Sequence, residues 1–440
     1  MKSLYFSQRF YTILASIIIL FFMGFGLGFL FPVAKILLIM FTVVFVVDLL
    51  LMYKTKTPIK VDRVLPELLS ITDKNEISLQ ITNNYPFAIN VEIVDELPYQ
   101  LQEREFEIEG EIEANKTSKV TYDIFPDERG EYNFGVVNVF TMSFIGLVKR
   151  RVKGSQAMKA KVYPSVNQMK KFELLALSKI STLDGVKKMR RIGHNYEFEQ
   201  IKTYAHGDDI RSINWKATGK RHSVMVNQFQ DERAQQVYMI IDKSRSMELR
   251  FNKIRYLDYA INSALVMANI ALKKYDKAGL ITFSDKIGAS IKAERSKLHL
   301  KRILDQLYHE KPSEKEADYN LLMRITRKML YGRSLLLLYT NFESTSSMER
   351  VIPYLRRLNK MHLLVVIFFE DSEIVNFSTK TASNKKQIYE KVLAGAYTTN
   401  KRKMRSQLQK IGIQTILTTP ENLSIDTLNK YLELKSRGLI

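Results

Sequence analysis

The residues best placed to do chemistry are Asp242, Ser244 and Ser246, which stand at alternate positions. They come directly after 237–241, Val-Tyr-Met-Ile-Ile, an apolar run with the length and continuity of a strand buried on both faces. A carboxylate and two hydroxyls on a turn at the carboxyl end of such a strand present hard oxygen ligands, where open α/β sheets bind their ligands. Asp and Ser are also ordinary N-terminal caps, so the same residues can serve as a polar turn opening the next helix. Other chemistries lack their residues. The chain has no cysteine, which removes disulfides, thiol catalysis and zinc bound through sulfur. The six histidines, at 194, 206, 222, 299, 309 and 362, show no ligand spacing, and none is an obvious partner for either serine. Gly219-Lys220 lacks the upstream glycine of a phosphate loop. An enzyme is therefore not expected.

The elements that must hold this turn alternate between helix and strand over 236–440. Helical spacing is read at 253–273, 298–309, 319–330, 348–358, 385–411 and 425–434. Strands are read at 278–283, 334–340 and 362–369, with a short β extension at 287–293 and an edge strand at 414–418. Such alternation gives a doubly wound, Rossmann-type α/β domain with a mostly parallel sheet.

Ahead of this domain lie two segments of different character. Residues 1–60 carry two long apolar runs, at about 11–31 and 36–53, each near the roughly 20 residues needed to cross a bilayer. The short connection between them implies a transmembrane helical hairpin with both ends on one side. Lys2, Arg9, Lys54, Lys56 and Lys60 flank those ends, so the bulk of the chain is expected in the cytoplasm beneath the inner membrane, with Lys35 in the loop as a counter-signal. Gly24 and Gly28 fit a small-residue packing face. Asp48 falls inside the second run, either as a functional carboxylate or as one near the cytoplasmic interface. Residues 61–165 then read as short alternating runs, at 76–82, 88–94, 119–124 and 132–140, split by turn residues: a small antiparallel β-sandwich without catalytic residues.

The formal charge of +21 calls for an anionic neighbour. Lys149-Arg150-Arg151 and Lys187-Lys188-Met189-Arg190-Arg191 concentrate it in a stretch that reads as a solvated basic linker ahead of specific nucleic-acid binding, with anionic lipid as a further surface given the nearby apolar runs. Nucleic acid is the weaker partner, because no helix-turn-helix, zinc-finger or RNA-recognition signature accompanies the charge.

Within 166–235 stands the most distinctive segment, 198–217, with Tyr204, Gly207, Asp208, Arg211 and Trp215. Its residues alone suggest an ion-paired turn of Asp208, Asp209 and Arg211 beside a large buried ring. Together with Asp-x-Ser-x-Ser after the first strand of an α/β domain, it resembles the bacterial "domain of unknown function fifty-eight" family, whose signature block leads into a von Willebrand factor type A-like domain. The family's usual acid before the tryptophan is here Asn214. The resemblance implies a metal-ion-dependent adhesion site at Asp242, Ser244 and Ser246, completed by a threonine and an aspartate from later loops. This chain offers Asp318 instead of the threonine and Asn341 instead of the aspartate. With fewer fixed negative charges, Mg²⁺ or another divalent cation would be held weakly, or the turn would bind a partner without metal. The resemblance further implies a protein partner, a MoxR-type AAA+ ATPase, and an adaptor role in assembling or maturing envelope or other complexes. The five signature residues would be structural or docking elements. A basic membrane protein that binds nucleic acid or anionic lipid is the alternative.

Overall fold

The first helix is set by a single oxygen atom, the side-chain hydroxyl of Ser7. The computed structural model describes residues 3–103, 106–177, 197–205, 208, 210–221, 223–230, 234–296, 298–379 and 384–439. It divides into two units, 1–165 and 166–440. The Ser7 hydroxyl accepts from Phe10 N and starts α1 (Gln8–Gly26), while Ser7 Oγ also donates to Gly146 O at 2.5 Å. Helix α2 (Leu30–Lys54) returns after a short turn, and both helices are apolar and long enough to cross a membrane. A Cβ at Gly24 would sit 3.0 Å from Phe31 N, so the return needs glycine there. Gly28 lies in the turn with open space around it. The expected two-glycine face therefore reduces to Gly24 alone.

The rest of the first unit is antiparallel apart from one short parallel pairing. Its strands are β1 (Leu4–Phe6), β2 (Ile59–Val64), β3 (Leu69–Ser70), β4 (Asn75–Asn83), β5 (Ile89–Asp95), β6 (Glu107–Ile112), β7 (Thr117–Ile124), β8 (Gly130–Phe134), β9 (Val137–Met142), β10 (Val148–Lys153) and β11 (Met158–Tyr163). They form sheets β1-β10-β9-β5-β6, β2-β4-β7 and β3-β11-β8 around one core. Period-2 burial explains why: Ile77, Leu79 and Ile81 of β4 point inward while their neighbours face out. The run expected as one strand at 132–140 is two strands in different sheets. Its break is Gly135, whose N–H bonds Glu96 O and where a Cβ would collide with the Glu96 side chain. In the core, Arg63 pairs with Asp95, which also accepts from Tyr122 OH.

Asp48 is fully buried at the foot of α2. It accepts from Ser143 Oγ and from the backbone N–H of Leu147 and Val148, both at 2.9 Å. Strand β1, ahead of the helices, pairs with β10, far behind them. Both ends of the helical pair thus meet the same sheet. Residues 149–151 belong to β10 and not to a solvated linker. Lys149 bonds Glu92, Arg150 bonds Met52 O and Thr55 O, and Arg151 bonds Asn138 Oδ1. Residues 187–191 lie outside the described residues.

The second unit begins with α3 (Val166–Leu177), where a linker was expected; Phe172 and Met169 pack it into the core. Then come β12 (Glu197–Thr203), α4 (Trp215–Arg221) and β13 (Met225–Gln230), with β12 and β13 paired antiparallel. Next are β14 (Gln236–Asp242), β15 (Arg250–Phe251), β16 (Ile254–Arg255), α5 (Tyr256–Lys273), β17 (Lys277–Phe283), β18 (Ile287–Glu294), α6 (His299–His309), α7 (Tyr319–Met329) and β19 (Leu335–Tyr339). The chain closes with α8 (Thr345–Met361), β20 (Leu363–Phe369), α9 (Ser372–Thr379), α10 (Lys385–Lys410), β21 (Gln414–Thr418) and α11 (Leu423–Ser436). The main sheet has the order β18-β17-β14-β19-β20-β21, parallel except for β18. Val237, Met239 and Ile241 enter the core that holds α5, α6 and α11, whereas Tyr238 and Ile240 enter the one that holds α7, α8 and α10. Helix α5 starts later than expected because β15 and β16 make a tight hairpin. Asn252 and Lys253, at φ 48° and 68°, form its turn.

Candidate functional site

Strand β14 carries Asp242 to the carboxyl edge of the sheet. Its carboxylate is 1% exposed; Oδ1 accepts from Ser244 N at 2.8 Å and Oδ2 from Thr340 Oγ1 at 2.7 Å. Tyr319 OH lies 2.8 Å from Thr340 Oγ1, and since that hydroxyl donates to Asp242, Tyr319 donates to it. Burial pushes the Asp242 carboxyl above its ordinary range, while the donors from Ser244, Thr340 and Tyr319 pull it back. Ser244 Oγ and Ser246 Oγ stand 3.2 Å apart. All five residues expected at the site, Asp242, Ser244, Ser246, Asp318 and Asn341, line one cleft of about 390 Å³. Arg245, Glu316, Glu343 and Arg350 line it as well, with Arg245 Nη2 lying 3.7 Å from Glu343 and 4.0 Å from Glu316.

Two of the five are engaged in ways the sequence did not indicate. Asp318 caps α7, its Oδ1 accepting from Asn320 N at 2.8 Å and Leu321 N at 3.1 Å. Asn341 Nδ2 donates to Ser246 O at 3.3 Å, while its Oδ1 accepts from Lys401 Nζ at 2.7 Å. Lys401 comes from α10, is 2% exposed, and donates a second bond to Phe342 O at 2.9 Å. Its ammonium also sits 5.4 Å from the Tyr397 ring centre. Burial lowers its pKa to about 8, against the opposing charges of Glu370 and Glu343. Thr340, Tyr319 and Lys401 are the residues that sequence reasoning missed.

This donor set fits a divalent cation only at one corner. Two hydroxyls 3.2 Å apart are close to the spacing of about 3 Å between neighbouring ligands on Mg²⁺. The rest does not follow. Each Asp242 oxygen already accepts a protein hydrogen bond, Asp318 Oδ1 caps a helix, and the Asn341 oxygen is held by an ammonium. Of the expected ligands, the two hydroxyls and an Asp242 carboxylate already engaged at both oxygens stand beside a buried positive charge, a poor arrangement for a doubly charged ion.

The signature segment is also differently arranged. Asp208 pairs with Lys202 at 2.8 Å and accepts from Ala205 N at 2.9 Å, which holds its carboxyl below the usual range. Gly207, Asp209 and the Arg211 side chain lie outside the described residues. Asn214 caps α4, its Oδ1 accepting from Ala217 N at 3.0 Å. Trp215 is not buried but 73% exposed, and Ile210 beside it 70%. Tyr204 is half-buried, its N–H bonded to Val224 O at 2.7 Å.

Residues 200–391 match the family described as "Protein of unknown function DUF58". No curated protein matches the chain. Among solved structures, the CARDB domain of the PF1109 protein from Pyrococcus furiosus, in complex with di-metal ions, is similar at 10% identity and a TM-score of 0.17. That match covers 24% of this chain and 94% of that one. Proximal thread matrix protein 1 from the mussel byssus is similar at 16% identity and a TM-score of 0.27, over 46% of each chain. Neither likeness bears on this chain's fold or chemistry.

Proposed function

We propose, taking the DUF58 domain at residues 200–391 as premise, that this protein is a membrane-anchored, non-enzymatic adaptor with a degenerate adhesion-type site. In this reading the second unit is a von Willebrand factor type A-like domain. The cleft at its sheet edge receives an acidic side chain of a protein partner, a MoxR-type AAA+ ATPase acting in assembly or maturation of envelope or other complexes. The helical pair crosses the inner membrane and the bulk of the chain lies in the cytoplasm. The observation that carries the reading is the convergence of Asp242, Ser244, Ser246, Asp318 and Asn341 on one open cleft. The turn alone supplies donors for a carboxylate: the Ser244 and Ser246 hydroxyls, with the Arg245 and Arg350 guanidinium groups beside them. The exposed Trp215 and Ile210 support a docking role for the signature segment, since an exposed indole is a common anchor in interfaces. The test is capture of the ATPase by the full chain in detergent, with Asp242→Ala as the comparison. Capture lost in that variant supports the proposal. Equal capture by both, or none by the native chain, sinks it.

A further inference from the structure

We propose that Lys401 makes this a site that works without a divalent cation, its buried ammonium providing from within the fold the positive charge that a bound ion would otherwise bring. The inference rests on reading the cleft as the receiving site. Helix α10 packs inward through Ala394, Thr398, Lys401, Met404 and Leu408. A lysine in that stripe is costly to bury, and is kept only where its ammonium finds oxygen. It finds two, Asn341 Oδ1 and Phe342 O, both on the loop between β19 and α8 that forms one wall of the cleft. Both acceptors are uncharged, so neither hydrogen bond neutralises the ammonium, which sits beneath the wall that carries Asn341, Phe342 and Glu343; the carboxylates that oppose it are Glu370 and Glu343.

The same contact explains why asparagine suits position 341. An aspartate there would pair with Lys401 and be spent on that charge, unable to balance a cation in the cleft. Asn341 instead accepts from Lys401 through oxygen and donates to Ser246 O through nitrogen, tying α10 to the turn that presents the two serine hydroxyls. Positions 341 and 401 are therefore coupled. Restoring a carboxylate at 341 alone does not rebuild a metal site; removing the ammonium as well does.

The experiment uses the full chain in detergent, freed of metal, and titrates Mn²⁺ alone while free Mn²⁺ is followed by electron paramagnetic resonance. Native protein and N341D are expected to show no saturable site that depends on Asp242. The double variant N341D/K401M is expected to gain one, at least roughly tenfold tighter, because the local charge changes by two units. Thermal unfolding with and without Mg²⁺ gives a second readout, a stabilisation confined to the double variant. Adding Asp242→Ala must abolish the gain, whereas Mn²⁺ held elsewhere, as by the Glu92, Glu107 and Glu109 carboxylates, survives it. If the double variant does not fold, N341D/K401Q makes the same comparison with an amide that can still donate to the loop oxygens. Saturable Mn²⁺ binding by native protein that Asp242→Ala removes overturns the inference. So does a folded double variant that gains no site. Because no partner is present, these results are independent of whether the ATPase is captured.

Discussion

Substituting Asp48 by alanine removes the acceptor shared by Ser143 Oγ, Leu147 N and Val148 N, all in or beside the loop that leads into β10. The hydroxyl can turn to another partner, but the two backbone N–H groups cannot, and Asp48 itself is fully buried. An orphaned buried donor costs about 1–3 kcal/mol, which puts the loss at about 2–6 kcal/mol. Against a whole-domain stability of about 5–15 kcal/mol that is a large share. The assay is hydrogen exchange on the full chain in detergent, read at the Leu147 and Val148 amides. A loss of about 2 kcal/mol quickens local opening roughly 30-fold, and more if the upper figure applies. Asp48→Asn, which keeps one accepting oxygen, should fall between alanine and native. Unchanged protection of both amides in Asp48→Ala would refute the claim that this carboxylate fastens helix to sheet, and would return it to the list of functional candidates.

Three further outcomes follow from the same geometry. Asp95→Ala removes the counter-ion of the buried Arg63, leaving its guanidinium only the Gly135 carbonyl, and takes the acceptor from the Tyr122 hydroxyl, so denaturant unfolding of the first unit should lose about 3–5 kcal/mol; a change below about 1 kcal/mol would show that the ion pair is dispensable. Trp215→Ala should shift unfolding by less than about 0.5 kcal/mol while weakening ATPase capture; a large stability loss with capture intact would mean the ring is core after all. Acidification should loosen α3. Glu173 is held below the ordinary carboxylate range by hydrogen bonds from Asn269 and Lys273, so its contribution is present above the unfolded pKa and is lost as pH falls through the lowered folded value. Exchange of α3 amides between about pH 6 and pH 3 reads this, and flat protection across that range would contradict it.

How far the sequence could be read depended on whether a residue's partner was local. The strand before Asp242 announced itself because five consecutive apolar side chains must serve two cores at once, and they do. The clustering of Asp242 with Ser244 and Ser246 needed only a turn. Lys401 was invisible for the opposite reason: a lysine on a long, charge-rich helix reads as solvated, and its acceptors lie 60 and 59 positions away. Asp48 likewise met its donors 95 to 100 positions on, so a carboxylate in an apolar run looked unpaired. The β15–β16 hairpin escaped notice because its turn is Asn252-Lys253 and lacks the glycine that usually marks one. Trp215 misled because large rings are commonly interior, whereas this one is exposed.

The pairing of β1 with β10 has a mechanical corollary. A single connection would let the helical pair swing like a buoy on a line. Here the leading and trailing ends are both stitched to one ribbon of sheet, so neither helix can slide or tilt alone without unzipping hydrogen bonds. Lateral pull on the helical pair is then felt in β10 and β9 rather than lost in slack.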